Sequence, residues 1–133
     1  MNIQDQINES KRTGEIEFYI EERNGDFVKS RMPISSGVLN PFGVVQAGAM
    51  LWLADVTASV LTIGSTKISE DGKGFPLAIN LSSSFLGNQR NGDIFAEARF
   101  VRKGRKIIVV RTQVTGEDEK LLAEITTTHV PVK

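Results

Sequence analysis

Asp55 is the side chain whose setting packing alone explains least. It stands in the middle of Ala47 to Ile63, a run otherwise made of apolar, small and hydroxyl residues. A carboxylate in apolar surroundings is costly unless it is paired, hydrogen-bonded or near water. Aspartate is also a poor residue for a helix interior. One reading is a structural aspartate, bonded to backbone amides or to an arginine across an interface. The other is a general base or nucleophile whose pKa burial has raised. The loop Asn40-Pro41-Phe42-Gly43-Val44-Val45-Gln46-Ala47-Gly48 opens straight into the same run. Helix N-termini present free backbone N–H groups and a positive dipole end. Such a donor, aimed at a carbonyl, stabilises developing oxyanion charge. By itself the loop is equally well a shape-forming segment.

The spacing of the two features constrains how they could cooperate. Asp55 lies eight residues beyond Ala47, about 12 Å along one helix. A donor and a carboxylate that far apart do not meet on one carbonyl. They meet if two helices from two subunits run antiparallel, so cooperation implies a site shared by a dimer.

Composition removes several other chemistries. The chain has no cysteine, which excludes a disulfide framework, a thiolate metal site and a cysteine nucleophile. His129 is its single histidine, so a Ser-His-Asp triad must use it and a multi-histidine metal site is impossible. In a Thr-rich strand near the C-terminus, His129 reads as a surface or sheet-end residue. Arg99, Arg102, Lys103, Arg105 and Lys106 form a basic cluster. It is either a solvated strand-and-turn face or a patch for phosphates. Sixteen basic and sixteen acidic residues cancel. That argues against nucleic-acid binding and leaves no repulsion against self-association. The N-terminus lacks the apolar core of a signal peptide. The longest apolar stretch is short for a membrane span and carries Asp55. The expectation is a soluble, cytoplasmic protein with no membrane partner and no metal.

The elements that must position these residues follow from periodicity. Residues 1–12 form a polar helix or coil. Glu15 to Arg31 reads as a hairpin, with Ile16, Phe18 and Ile20 alternating and Asn24-Gly25 turning through positive φ. Ala47 to Ile63 is apolar on every face, so it is a helix buried on all sides, with Gly64 as its stop. Trp52, Met50 and Leu53 fill the concave side of whatever wraps it. After the polar loop Ser65 to Gly74, the chain alternates. Leu77, Ile79, Leu81, Ser83 and Phe85 point one way; Ala78, Asn80, Ser82, Ser84 and Leu86 point the other. Further strands run through Ile94 to Val101, Ile107 to Thr115 and Leu121 to Val130, with turns at Asn88 to Gly92, Lys103-Gly104-Arg105 and Gly116 to Lys120. The fold expected is a single α+β domain over residues 1–133. A curved antiparallel sheet of five or six strands wraps one long central helix. Its edge strands need cover, and a second copy would supply it.

Asn40-x-x-Gly43-x-x-Gln46-Ala47-Gly48, followed by Leu53-Ala54-Asp55, resembles the Asn-x-x-Gly-x-x-His-Gly-Gly…Asp pattern of hotdog-fold thioesterases, in particular the PaaI-type (phenylacetate-degradation-like) acyl-CoA thioesterases. The likeness continues through Ser84-Phe85-Leu86, Gly92-Asp93, Val101-x-x-Gly104-Arg105 and the Thr-rich last strand. The resemblance implies a hydrolase acting on an acyl- or aryl-CoA thioester, with coenzyme A as part of the substrate and no separate cofactor. It implies a homodimer, or a dimer of dimers. Asp55 is then base or nucleophile from one subunit, and Asn40 and the Ala47 N–H serve from the other. Gln46, Gly48, Asn80, Ser82, Gly104 and Arg105 fall at substrate-binding positions, with Arg105 or Lys103 meeting CoA phosphates.

This chain departs from the pattern in three places. Gln46 replaces the histidine and cannot titrate. Ala47 replaces a glycine, which preserves the N–H donor unless φ must be positive. Ala78 replaces a strand hydroxyl found in some relatives, for which Asn80, Ser82 or Ser84 could substitute. These departures keep a second reading open, a non-catalytic acyl-thioester binder. A dehydratase or hydratase of the same fold is third, since it needs a histidine beside a carboxylate.

Overall fold

In the computed structural model, residues 16–66 and 68–132 are described, with Asn2, Gln4 and Asp5. The expected helix or coil at residues 1–12 falls almost wholly outside that set. The predicted hairpin is present as β1 (Tyr19–Arg23) and β2 (Phe27–Pro33). Its turn works differently from the expectation. Neither Asn24 nor Gly25 takes positive φ. Instead Asn24 Oδ1 accepts the N–H groups of Asp26 and Phe27 at 2.8 and 3.1 Å, so a side chain supplies the turn's hydrogen bonds.

The helix α1 spans Ala47–Ile63 and stops at Gly64, whose φ is +55°. β3 (Pro76–Phe85), β4 (Asp93–Lys103), β5 (Ile108–Thr115) and β6 (Leu121–Pro131) complete the chain. Six strands form one sheet in the order β1-β2-β4-β5-β6-β3, every neighbour antiparallel. β1 and β3 are its edges. This is the hotdog fold, one long helix packed on a six-stranded antiparallel sheet.

Alternation along the strands sends one set of side chains toward α1. Val28, Met32, Ile94, Ala98, Val110, Val114, Ala123 and Ile125 are fully buried there, against Leu53, Ala54 and Ala58 of the helix. Alanines on β4 leave room for the helix backbone to approach the sheet. Met50 and Leu53 fill the interior as expected. Trp52 does not. It is half-buried at the helix margin, edge-on to Phe18 with ring centroids 6.1 Å apart.

β3 departs from strict alternation. Ala78 pairs with His129 but Asn80 pairs with Thr128, so a bulge absorbs Ile79. One extra residue reverses the facing of everything beyond it. Ala78 and Asn80 therefore lie on opposite faces, against the expectation that they share one.

Candidate active site

One side of α1 is left uncovered. Leu51, Trp52, Asp55, Val56, Ser59 and Thr62 are only partly buried, whereas Ala49, Met50, Leu53, Ala54, Thr57 and Ala58 are buried. The helix is thus not enclosed on all sides within one chain, contrary to its all-apolar sequence. Asp55 sits at the centre of the uncovered stripe. Partial burial raises its pKa above the ordinary carboxylate value, and the nearby His129 ring opposes that rise.

At the start of α1, Gln46 is in extended conformation and its carbonyl accepts from Ala49 and Met50. The N–H groups of Ala47 and Gly48 have no acceptor among the described residues, and both residues are exposed. Ala47 is not among the residues with positive φ. The condition for replacing glycine by alanine is therefore met, and a free donor remains at the helix N-terminus.

The preceding loop is held by its own side chains. Asn40 Oδ1 accepts from Phe42 and Val44 at 2.9 and 3.2 Å. Gln46 Nε2 donates to the Leu39 carbonyl at 2.9 Å. Gln46 N donates to Val38 O and Val45 N to Gln89 O, which locks the loop to the sheet's rim. Asn40 thus shapes the site with its oxygen, and only its amide nitrogen is free to meet a ligand. Gln46 likewise has one polar atom left, its Oε1.

The β3 residues divide between faces. Asn80 and Ser82 pair with Thr128 and Thr126 on the outer face, across the sheet from α1. Neither replaces a hydroxyl beside Asp55 within this chain. Ser83 pairs with the buried Ile125, so it carries the inner-face hydroxyl that sequence reasoning passed over.

His129 is the larger surprise. It is fully buried, not a surface residue. It lies on the inner face beside Ala78 and Ile108, hydrogen-bonded at both ring nitrogens. Two-residue alternation from the buried Ile125 and Thr127 could have placed it there.

The β4–β5 turn lies at the same end of the sheet, since Lys103 pairs with Ile108 and Ile108 with His129. Gly104 N donates to Ile107 O at 3.0 Å, and a Cβ at Gly104 would meet that oxygen at 2.6 Å. The turn therefore requires glycine. Arg102, Lys103, Arg105 and Lys106 are exposed around it, without a carboxylate partner among the described residues. Arg99, grouped with them by sequence, instead pairs with Glu97 at 3.0 Å and covers Phe27. A separate hollow of about 730 Å³, lined by Glu22, Lys29, Phe95, Glu97, Gln113 and Glu119, contains none of the predicted site residues. No group of metal-ligating side chains is found among the described residues. No described helix is long and apolar enough to cross a membrane.

A six-stranded hotdog sheet, a helix with one half-buried carboxylate, and free N–H groups at that helix's start define a thioesterase-like architecture. The chain belongs to the thioesterase superfamily, whose family pattern matches residues 42–123. It is 27% identical over 96 residues to a Haemophilus influenzae protein named "Putative esterase", covering 72% of this chain and 67% of the relative. It is also 27% identical over 103 residues to "Putative esterase PA1618" of Pseudomonas aeruginosa, covering 76% and 69%. Among solved structures, the Haemophilus influenzae thioesterase HI1161 superposes with a TM-score of 0.77 at 22% identity, covering 87% of this chain and 78% of that one. A hypothetical thioesterase of Streptococcus pneumoniae, solved with coenzyme A, superposes with a TM-score of 0.76 at 16% identity, covering 86% and 85%.

Proposed function

We propose that this chain is an acyl-CoA thioesterase that works as a homodimer, with Asp55 of one copy and the Ala47 N–H of the other acting on one thioester. The observation that carries the reading is the placement of Asp55 on the uncovered stripe of α1. α1 packs beside the free edge strand β3, whose Leu77, Ile79, Leu81 and Phe85 are 42–57% exposed. An apolar edge strand invites pairing with a second copy. Antiparallel pairing at β3 would bring two helices side by side and offset the 12 Å separation of donor and base.

The chemistry then runs as follows. Asp55 carboxylate accepts a proton as water attacks the thioester carbonyl carbon. The carbonyl oxygen becomes an oxyanion, stabilised by the Ala47 N–H and the positive end of α1. Collapse breaks the C–S bond, and the CoA thiolate takes the proton from Asp55. The products are the carboxylic acid and CoA-SH. A variant of this scheme uses Asp55 as the nucleophile, with water cleaving the resulting anhydride. Arg105, Lys106 and Lys103 meet the CoA phosphates. The solved relative that binds coenzyme A supports that class of substrate. The PaaI-type grouping, assembly into a dimer of dimers and a cytoplasmic location belong to the same proposal.

Hydrolysis of a broad acyl-CoA panel by wild type and Asp55→Asn, side by side, tests it. Turnover lost in the variant is the expected result. No turnover in either protein, together with tight CoA-ester binding, would instead establish the binder. That second reading draws on Asn40 and Gln46, whose hydrogen bonds are partly spent on the loop.

A further inference from the structure

Residues 86–92, between β3 and β4, belong to no strand, yet they support the start of α1. A stretch without a ladder must find its hydrogen bonds elsewhere. At one end, Leu86 and Gly87 donate to the Leu122 carbonyl; at the other, the Gly92 carbonyl accepts from Ile34. Between them stands Gln89, half-buried. Its Nε2 donates to the Asn91 and Asp93 carbonyls, each at 2.8 Å, and its Oε1 accepts from the Glu117 N–H at 2.8 Å. One side-chain amide thus ties its own loop to the start of β4 and to the β5–β6 turn.

The same loop reaches the segment leading into α1 at two points. Gln89 O accepts from Val45 N at 3.0 Å. Arg90 Nη1 donates to Phe42 O at 2.9 Å and lies 3.2 Å from where a Cβ on Gly43 would stand. Gln46, between Val45 and Ala47, donates its own N–H to Val38 O. The two peptide groups before the Ala47 N–H are therefore each pinned by a carbonyl of another segment. The Ala47 N–H has no acceptor among the described residues. Peptide groups are rigid planes, so its aim is inherited from those two.

Gly116 shows how closely Gln89 is fitted. It is buried, and its φ of −107° is open to any residue. Space is what demands glycine there. A Cβ at 116 would lie 2.0 Å from Gln89 Oε1.

We propose that Gln89 is a positioning residue for the oxyanion donor. Seated on Gly116, its amide fixes the carbonyl that pins Val45, and so aims the free N–H of Ala47. Arg90 holds the other part of the same loop at Phe42. Gln89 touches no substrate in this role, since both its amide protons and its Oε1 are spent within the chain. The consequence for turnover rests on the reading of the Ala47 N–H as the donor; the clamp itself does not.

Two substitutions loosen the clamp without touching the site. Gly116→Ala sets a methyl against the movable end of the Gln89 side chain, so the fold should survive with the amide displaced. Gln89→Glu keeps the shape but turns an acceptor toward the Asn91 and Asp93 carbonyls. Amide hydrogen exchange of the full chain is read by NMR, beside steady-state hydrolysis of whichever acyl-CoA wild type cleaves fastest. Exchange at Val45 should quicken roughly tenfold or more in both variants, while β4 and β5 amides keep their protection. kcat should fall about 10- to 100-fold with KM changed less than about twofold, the mark of a misplaced transition-state contact. The two positions should not add. In Gln89→Ala the Oε1 is gone, so Gly116→Ala should cost little more.

Unchanged Val45 exchange in the folded variants would overturn the clamp, as would full additivity. Quickened exchange with kcat unchanged in an active protein would overturn the positioning role. A kcat loss that merely follows lost β4 and β5 protection would make Gln89 structural and overturn it too. If Gly116→Ala does not fold, Gln89→Glu and Gln89→Ala decide alone. The exchange measurement needs no turnover. Quickened Val45 exchange in a protein that hydrolyses nothing would keep the clamp and discard the catalytic reading.

Discussion

Ser30 Oγ lies 2.6 Å from Thr57 Oγ1, in the core between β2 and α1. Thr57 Oγ1 also lies 2.6 Å from the Leu53 carbonyl, to which it donates its only hydrogen. Ser30 is therefore the donor to Thr57. The contact fixes the rotation of α1 on the sheet. Two residues correspond to about 200° around a helix, so Thr57 facing β2 turns Asp55 away from it, onto the uncovered stripe. Thr57→Val would leave the buried Ser30 hydroxyl without an acceptor and cost about 1–3 kcal/mol in urea unfolding. Ser30→Ala leaves Thr57 bonded to Leu53 and should cost less, below about 1 kcal/mol. The reverse order would contradict the donor assignment.

The Ala47 N–H can be removed without disturbing the helix. Proline is favoured at the first helical position, where its missing N–H has no helical acceptor to lose. Gln46 already has φ −67° and ψ 143°, a conformation that suits the residue before proline. Ala47→Pro should keep the folded stability and lower kcat by about 10²–10³, the usual loss of one oxyanion donor. Full activity in a folded Ala47→Pro protein would remove this N–H from the mechanism.

Asp55→Asn should separate activity from stability. As a base, Asp55 lost is expected to cost about 10²–10⁴ in kcat. The rate of wild type should fall as pH drops through its raised pKa, above the usual carboxylate range. The stability effect has the opposite sign. A carboxyl whose folded pKa exceeds its unfolded value holds more protons when folded between the two. Its contribution to stability is thus lost as pH rises from the ordinary value of 3.8 through the raised one. At neutral pH the neutral asparagine should therefore melt above wild type. A lower Tm would mean that the carboxylate is held by favourable contacts and is structural.

A site shared between copies predicts complementation. Ala47→Pro and Asp55→Asn are each inactive, but a mixed dimer contains one site with both wild-type residues. After random subunit exchange, activity should recover to about a quarter of wild type, since half of the dimers are mixed and half of their sites intact. Leu81→Lys on the β3 edge should yield monomers in sedimentation and lose turnover together with the dimer. Active monomers would place donor and base in one chain.

Much of this protein was legible from local pattern. The bounds Ala47–Ile63 follow from an apolar run between a glycine-bearing loop and Gly64. The strands follow from alternation and turn residues, and Asp55 stands out because a charge in an apolar helix is expensive. The motif from Asn40 to Gly48 fixed where a free N–H should appear, and it appears at Ala47 and Gly48. The facing of β3 was not legible, because a one-residue bulge leaves no mark in composition yet reverses every later side chain. The inward facing of His129 was legible in its alternation with Ile125 and Thr127, whereas its full burial depends on register with β3 and β5.

By itself, then, the sequence determined which elements form and which side chain is anomalous, since helix and strand periods and the cost of a buried charge are local properties. Only the tertiary structure decided which stripe of α1 remains uncovered, that Asn80 and Ser82 face away from it, and that His129 lies fully buried on the helix side of the sheet. Those facts arise from strand register and helix rotation, which join residues far apart in the chain, as where Phe27 of β2 pairs with Arg99 of β4.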